Sequence, residues 1–420
     1  MDDEMDALTC TLANDLARHA ALGDKVSGGP GDAATTQWIA GRLAELGYGV
    51  AQQGIEVPFF DPLDCRLVAG ETTAPVYWQS PVTATGIQGL RAPLAVVRAP
   101  YEAMDAAGRI ALLVLPHARH ASIDSPLAAP LIAAASAAGA VALVIVPVGP
   151  TGEVVALNTG IGAPVAPVPI AVLAPALAEP FLRAARSALP ATLFLHGRTS
   201  VRQTSNLQAR LRRGPRWLCL STPRTGWFGC VAERGTGTAA FLAMAAWAVE
   251  RFPDLSLFLL NTGAHEYRFA GAHSALAQAP APADTLVWIH LGAALAARDR
   301  LEFRGELLDL PSADANRITM ATESLQEAAG VAFRGLAGLE RITAPMSGVS
   351  ELGAIVARGY GRAMAVLGIP RAFHTRADDL AEVDARLLAP VVRAHMAVVE
   401  AVHRQTSQTS QTSQTSKDVA

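Results

Sequence analysis

The chain of 420 residues carries 34 Lys and Arg against 37 Asp and Glu, a net charge of −3, and is 51% hydrophobic but only 17% charged. Charge below the ~25% usual for globular proteins excludes a disordered chain, and the near-neutral balance excludes the broad basic surface of a nucleic-acid binder. Four cysteines make no disulfide framework, and the length is that of two or three domains at ~100–200 residues each.

In chain order, the start Met1-Asp2-Asp3-Glu4 is acidic with no apolar run behind it, unlike a signal peptide, so a cytoplasmic protein is expected. A helix is predicted at about 6–21. A second, capped by Asp32 after Gly-Gly-Pro-Gly, runs to Leu46, where Gly47 stops it, and a strand follows over about 49–58. Residues 63–200 change character: short Val-, Ile- and Ala-rich strands (94–97, 109–115, 140–146) with one or two helices predict a β-rich module of its own. Within it Leu127–Val148 is uncharged over about the ~20 residues of a membrane span, but Pro130, Gly139 and the β-branched run after it fit a helix followed by a buried strand.

From 201 onward strands and helices alternate. Strands are expected at 217–221, 255–261, 285–291 and 363–369, and helices at 238–251, 269–278, 313–329, 350–359 and 384–404. Such alternation predicts an α/β fold, a mixed, mostly parallel sheet between helices, with active residues just after the strand ends. The four Gln-Thr-Ser copies of 405–416 have nothing apolar to bury, so the tail 405–420 is expected to be disordered. The units are therefore 1–62, 63–200, 201–404 and the tail.

After the four strands stand Pro223-Arg224-Thr225 with Ala232-Glu233-Arg234-Gly235, then Gly263-Ala264-His265-Glu266, then His290-Leu291-Gly292, and last Gly368-Ile369-Pro370 with His374-Thr375 and Asp378. Taken alone these residues have plainer readings: His290 as a core histidine, His374 and Asp378 as capping groups, Cys230 as a small buried residue. Their order resembles the zinc-dependent aminopeptidase family that includes the bacterial leucyl aminopeptidases, glutamate carboxypeptidase II and the transferrin receptor. Gly108-Arg109-Ile110 and Ala137-Ala138-Gly139-Ala140 in the middle module are similar to the protease-associated domain inserted in that family. Gly-Gly-Pro-Gly near residue 30 and Ser205-Asn206-Leu207 also match, so the resemblance spans nearly the whole chain except the tail.

The resemblance implies two zinc ions bridged by a carboxylate, with a Glu general base. Carried over by position, much of that set is replaced. The His-x-Asp after the first strand is Pro223-Arg224-Thr225, the bridging Asp is Glu233, the paired Glu-Glu is His265-Glu266, the third strand's Asp is Gly292, and the final ligand His374 is kept. One metal could still rest on Glu233, Glu266 and His374, since three protein ligands plus water can hold zinc. Arg224 and Arg234 would put positive charge beside it.

The leading expectation is therefore an aminopeptidase-like protein with a dismantled two-zinc site, metal-free or nearly so. Its pocket, lined by Arg224, Glu233, Arg234, His265, Glu266, His290 and His374, would bind or transform a small carboxylate-bearing or peptide-like ligand. Beside it stand a single-zinc hydrolase with His265 as general base and Glu266 as ligand, and a non-catalytic scaffold that binds a protein partner through residues 63–200. None of these involves nucleic acid or membrane.

Overall fold

The computed structural model describes residues 6–187 and 189–415, with side chains to residue 408. The acidic start and residues 416–420 lie outside the described residues.

Two long strands organise the molecule. β1 (Gly49–Ala69) and β7 (Pro190–Leu211) pair antiparallel from Gly49 opposite Arg210 to Ala69 opposite Ala191, with one register shift at Pro62/Asp64. The expected module boundaries at 63 and 200 thus fall inside continuous strands. β2 (Thr72–Trp78), β3 (Leu90–Val97), β4 (Ile110–Leu115), β5 (Ala142–Pro147) and β6 (Ile170–Leu173) continue from one half of this ribbon. The pairing runs β1-β2-β6-β5-β4-β3-β7 and returns to β1, which closes the strands into a ring and leaves no open edge. Leu67, Val76, Leu94, Leu112, Val144, Leu173 and Leu193 fill one core of this lobe, with Phe181 from helix α4 (Glu179–Arg186). The uncharged stretch 127–148 is helix α3 (Ala129–Ala137) followed by β5, and among the described residues no helix is long and apolar enough to cross a membrane.

The other half of the ribbon enters the main sheet. β8 (Trp217–Pro223), β9 (Ser256–Thr262), β10 (Thr285–Leu291) and β15 (Ala363–Gly368) lie parallel in the order β9-β8-β10-β15. β7 flanks them antiparallel on one side and β13 (Arg317–Ala321) on the other, with short β14 (Ile342–Thr343) beyond. These four central strands are buried on both faces, so they are continuously apolar, and alternate residues enter opposite cores. Leu218, Leu220, Leu257, Leu259, Ile289 and Val366 pack under α1 (Ala7–Ala21), α2 (Pro30–Glu45), α5 (Thr236–Arg251) and α9 (Ala385–Thr415). Cys219, Phe258, Leu260, Trp288 and Ala365 pack on the opposite face with Leu352 and Ile355 of α8 (Glu351–Ala357), beside α6 (Ala270–Ala275). At roughly 1.5–3 kcal/mol per buried large side chain, these two layers supply most of the drive to fold.

Three expectations need correction. Residues 313–329 are not one helix: the chain forms a hairpin of β11 (Arg298–Phe303) and β12 (Glu306–Ala313), then β13, and only Glu323–Ala332 are helical, as α7. The Gln-Thr-Ser repeats continue α9 as far as Thr415, where the buried Val398, Val399 and Val402 hold the preceding turns and Thr406 and Ser407 bond back to the carbonyls of Val402 and His403. Asp32 is not a helix cap. Gly29 holds that place, and Asp32 lies in the first turn with a partner far along the chain.

Candidate functional site

The ends of the four parallel strands are where the backbone is forced. Phe228, Cys230, Ala264, Arg268, Phe269, Ala294 and His374 all have φ between +40° and +59°. The first two follow β8, the next three β9, then one each follows β10 and β15. Such conformations cost of order 1–3 kcal/mol apiece and cluster at functional sites. The segment Val231–Gly235 after Cys230 is a π-helical turn, another irregularity common at such sites. Asp378 holds its start: its carboxylate oxygens accept the backbone N–H groups of Ala232 (2.6 Å) and Glu233 (3.1 Å).

This turn presents Glu233 and Arg234, both fully buried. The Arg234 Nη2 donates to Glu233 Oε1 at 2.7 Å and its Nε to the Thr225 carbonyl at 2.8 Å. His374 Nε2 lies 3.2 Å from the same Glu233 oxygen, while its Nδ1 faces the Ala156 carbonyl at 2.8 Å. Burial pushes the Glu233 carboxyl up, but the Arg234 guanidinium and His374 outweigh it and hold the group at about 2. Two atoms in this cluster have no partner among the described residues, Glu233 Oε2 and Arg234 Nη1.

Glu266 points elsewhere. Its Oε2 accepts from Thr225 Oγ1 (2.7 Å) and Ser27 Oγ (3.0 Å), and its Oε1 is buried without a partner among the described residues. Burial, only partly offset by those bonds and by Arg234, pushes it up to about 7.

His265 is held by a residue that sequence reasoning missed. Its Nδ1 lies 2.8 Å from Glu351 Oε1, and both oxygens of Glu351 accept from Thr262 Oγ1, at 2.8 and 3.0 Å. Burial pushes His265 well below the usual histidine range, and Arg234 adds to it, so its ring is neutral near pH 7. A neutral ring that gives its Nδ1 proton to Glu351 keeps Nε2 bare. His290 is fully buried, with Nδ1 2.9 Å from Ser221 Oγ. That hydroxyl accepts from Trp288 Nε1 at 2.7 Å, and with its own proton turned to Nδ1 the His290 proton sits on Nε2. Nε2 has no partner among the described residues, and burial lowers this histidine to about 4.

Arg224 leaves the predicted pocket altogether. Its three guanidinium nitrogens bond Asp32 Oδ1 (2.9 Å), Asn261 Oδ1 (2.7 Å) and the Ser205 carbonyl (2.6 Å). It thus ties β8 to α2, β9 and β7, fully buried and away from the cavity at the strand ends. Asp32 also accepts from Thr204 Oγ1 (2.7 Å) and the Gly28 N–H (2.9 Å).

Arg234, His265 and His290 line one cavity of about 460 Å³ at the strand ends. Its walls add Phe269, Leu367, Ile369 and Phe373, and the β-rich lobe closes it with Ser122, Asp124 and Asn158. Glu233, Glu266, His374 and Arg224 do not line it. The lobe is fastened to the site: Trp227 Nε1 donates to Asn158 Oδ1 (2.8 Å), Ala156 N to the His374 carbonyl (3.0 Å) and Thr159 N to the Glu266 carbonyl (2.9 Å). A larger cavity of about 580 Å³ lies against Phe59, Phe60, Tyr77, Trp78 and Trp227. The chemistry-bearing groups lie in the smaller one.

Among the described residues no three His, Cys, Asp or Glu side chains form a group that could hold a metal ion. Glu233 and His374 meet, but Glu266 is turned to Thr225 and Ser27, and a guanidinium nitrogen sits on the Glu233 oxygen a metal would need. A divalent ion ~4 Å from that guanidinium would meet roughly 8 kcal/mol of repulsion at intermediate dielectric. At Gly292 a Cβ would lie 2.6 Å from the Val366 carbonyl oxygen, so the backbone has closed over the place where the resemblance puts an aspartate. As arranged, these residues do not fit the metal.

Solved structures share the fold. A zinc aminopeptidase from Bacillus subtilis superposes with a TM-score of 0.73 at 16% identity, over 93% of this chain and 94% of that one. A peptidase M28 precursor from Shewanella amazonensis gives 0.70 at 16% identity, over 94% and 93%. An aminopeptidase from an Aneurinibacillus strain gives 0.65 at 16%, over 93% of each. No family model and no curated protein matches the sequence. The chain therefore has a zinc-aminopeptidase-like fold, at identities that speak for the fold alone.

Proposed function

We propose that this protein uses an aminopeptidase-like fold without the two-zinc chemistry, and that the cavity at the strand ends binds a small carboxylate-bearing or peptide-like ligand. The observation that carries the reading is the position of Arg234. Its guanidinium is the positive charge that Glu233 faces, and it neutralises that carboxylate without an ion. Arg234 Nη1 and His290 Nε2 have no partner among the described residues, and both residues line the 460 Å³ cavity. Unpartnered buried donors cost about 1–3 kcal/mol each, a cost that a ligand oxygen accepting from them would remove. Phe269, Ile369 and Phe373 provide an apolar wall for the rest of the ligand.

On this reading the protein is not a conventional peptidase, and residues 63–200 act as a protease-associated-like module whose loops close the pocket. A cytoplasmic setting belongs to the same reading. The single-zinc reading has one observation in its favour, the 3.2 Å approach of His374 Nε2 to Glu233 Oε1. It lacks a third donor.

The test is calorimetric titration of metal-stripped protein with N-acetylated amino acids. Binding without added metal, weakened at least tenfold in a His290→Ala variant, is expected. Binding that requires zinc, or none at all, would overturn the reading.

A further inference from the structure

We propose that Glu351 positions His265 as the general base of a metal-independent hydrolytic site for small acyl compounds, esters or amides, bound in this cavity. The inference rests on the ligand-binding reading above and makes the bound oxygen an acyl oxygen. Its geometric basis is a chain of three groups. Thr262 Oγ1 holds both oxygens of Glu351 at 2.8 and 3.0 Å, and Glu351 Oε1 takes the Nδ1 proton of His265 at 2.8 Å. His265 lines the cavity, so the bare Nε2 is the nitrogen left for it. Base and orienting carboxylate are both buried, and Ser350, whose hydroxyl accepts the Leu352 N–H, starts the helix that carries Glu351. A histidine with one nitrogen fixed by a carboxylate and the other free beside two unpartnered donors is the arrangement general-base acyl transfer needs.

In the reaction, His265 Nε2 takes a proton from water, and the water oxygen forms a bond to the acyl carbon. The carbonyl electron pair moves onto its oxygen, and Arg234 Nη1–H and His290 Nε2–H, without a partner among the described residues, are the donors assigned to it. When the carbonyl reforms, the bond to the leaving alcohol or amine breaks, and that group takes the proton from His265. One water and one ester or amide give one acid and one alcohol or amine. Glu351 touches no reacting atom and acts through His265.

The experiment uses the full chain, dialysed against chelator, with 4-nitrophenyl esters of N-acetylated amino acids as probes. Hydrolysis without metal is expected, lost by about 100-fold or more in kcat in His265→Ala. In Glu351→Gln kcat should fall at least tenfold with KM nearly unchanged. The ¹⁵N spectrum of His265 should change from a bare to a protonated Nε2 as the amide turns its NH2 to Nδ1. Thr262→Val, which loosens Glu351 without touching His265, should move both readouts the same way and serves if Glu351→Gln does not fold. Unchanged kcat in both variants, a wild-type His265 protonated on Nε2, or hydrolysis only on adding zinc overturns the proposal. If N-acetylated amino acids bind while none of the esters is hydrolysed, this inference fails and the binding reading stands. If neither occurs, both fail.

Discussion

Replacing Arg234 with methionine removes the positive charge from a buried carboxylate and keeps most of the side-chain volume. The drop of the Glu233 carboxyl from 4.5 to about 2 is worth about 3 kcal/mol at ~1.4 kcal/mol per pH unit. Both partners are fully buried, so solvent screens little of it. Breaking a buried ion pair from one side costs ~3–5 kcal/mol in other proteins, which agrees. The sign of the pH dependence should change as well. In the native protein the folded Glu233 lies below its unfolded value, so its contribution is present above about pH 4.5 and is lost as pH falls towards 2. Without Arg234, burial dominates and lifts the carboxyl above its unfolded value, so stability is then lost as pH rises. Urea unfolding of Arg234→Met at pH 7, followed by tryptophan fluorescence, should show a loss of about 3–5 kcal/mol. Adding Glu233→Gln in the same chain should recover a large part, because no buried charge remains. A loss below about 1 kcal/mol, or a double variant no better than Arg234→Met, would refute the reasoning.

Other outcomes follow from the same geometry. Arg224→Met strands Asp32 in the interior and should lower stability by about 3–5 kcal/mol in the same unfolding assay while leaving the cavity's ligand affinity unchanged, since Arg224 does not line it. Glu266 has its folded value raised to about 7 by burial, so its stability contribution is complete below about pH 4.5 and is lost as pH rises to 7. Glu266→Gln should abolish a fall of about 3 kcal/mol across that range, and parallel curves for the two proteins would contradict the assignment. Gly292→Asp, which restores the residue the resemblance calls for, should destabilise the fold and create no zinc affinity in a metal titration, because its Cβ meets the Val366 carbonyl at 2.6 Å. Asp124→Ala breaks only an exposed pair with Arg268 and should change the melting free energy by less than about 1 kcal/mol.

The parallel core of the fold was legible because β8, β9, β10 and β15 are apolar on both faces, and Gly, Asn or Pro punctuates their ends. The hairpin of β11 and β12 was not. Arg298–Phe303 and Glu306–Ala313 are largely exposed and mix charged with apolar residues, so they carry neither the helical nor the buried-strand pattern. At the site, His265, His290 and Arg234 stand at or shortly after strand ends, a local signal. Asp32 and Arg224 are 192 residues apart, and only the fold brings them together. Glu351 looks in sequence like an ordinary acidic residue in a helix's first turn after the cap Ser350, a placement the helix dipole explains without any partner. Its one available cue was an acid at a helix start close before the last strand. The reach of Glu266 away from His374 has no sequence signal, because it is set by Ser27 and Thr225.

The central claim, that the Arg234 guanidinium stands where a metal would be needed, is tested most directly by anomalous scattering at the zinc edge from crystals grown in excess zinc. The account predicts no peak between Glu233 and His374 and a guanidinium in contact with Glu233. A fully occupied zinc peak bonded to Glu233, Glu266 and His374, with Arg234 displaced, would contradict it.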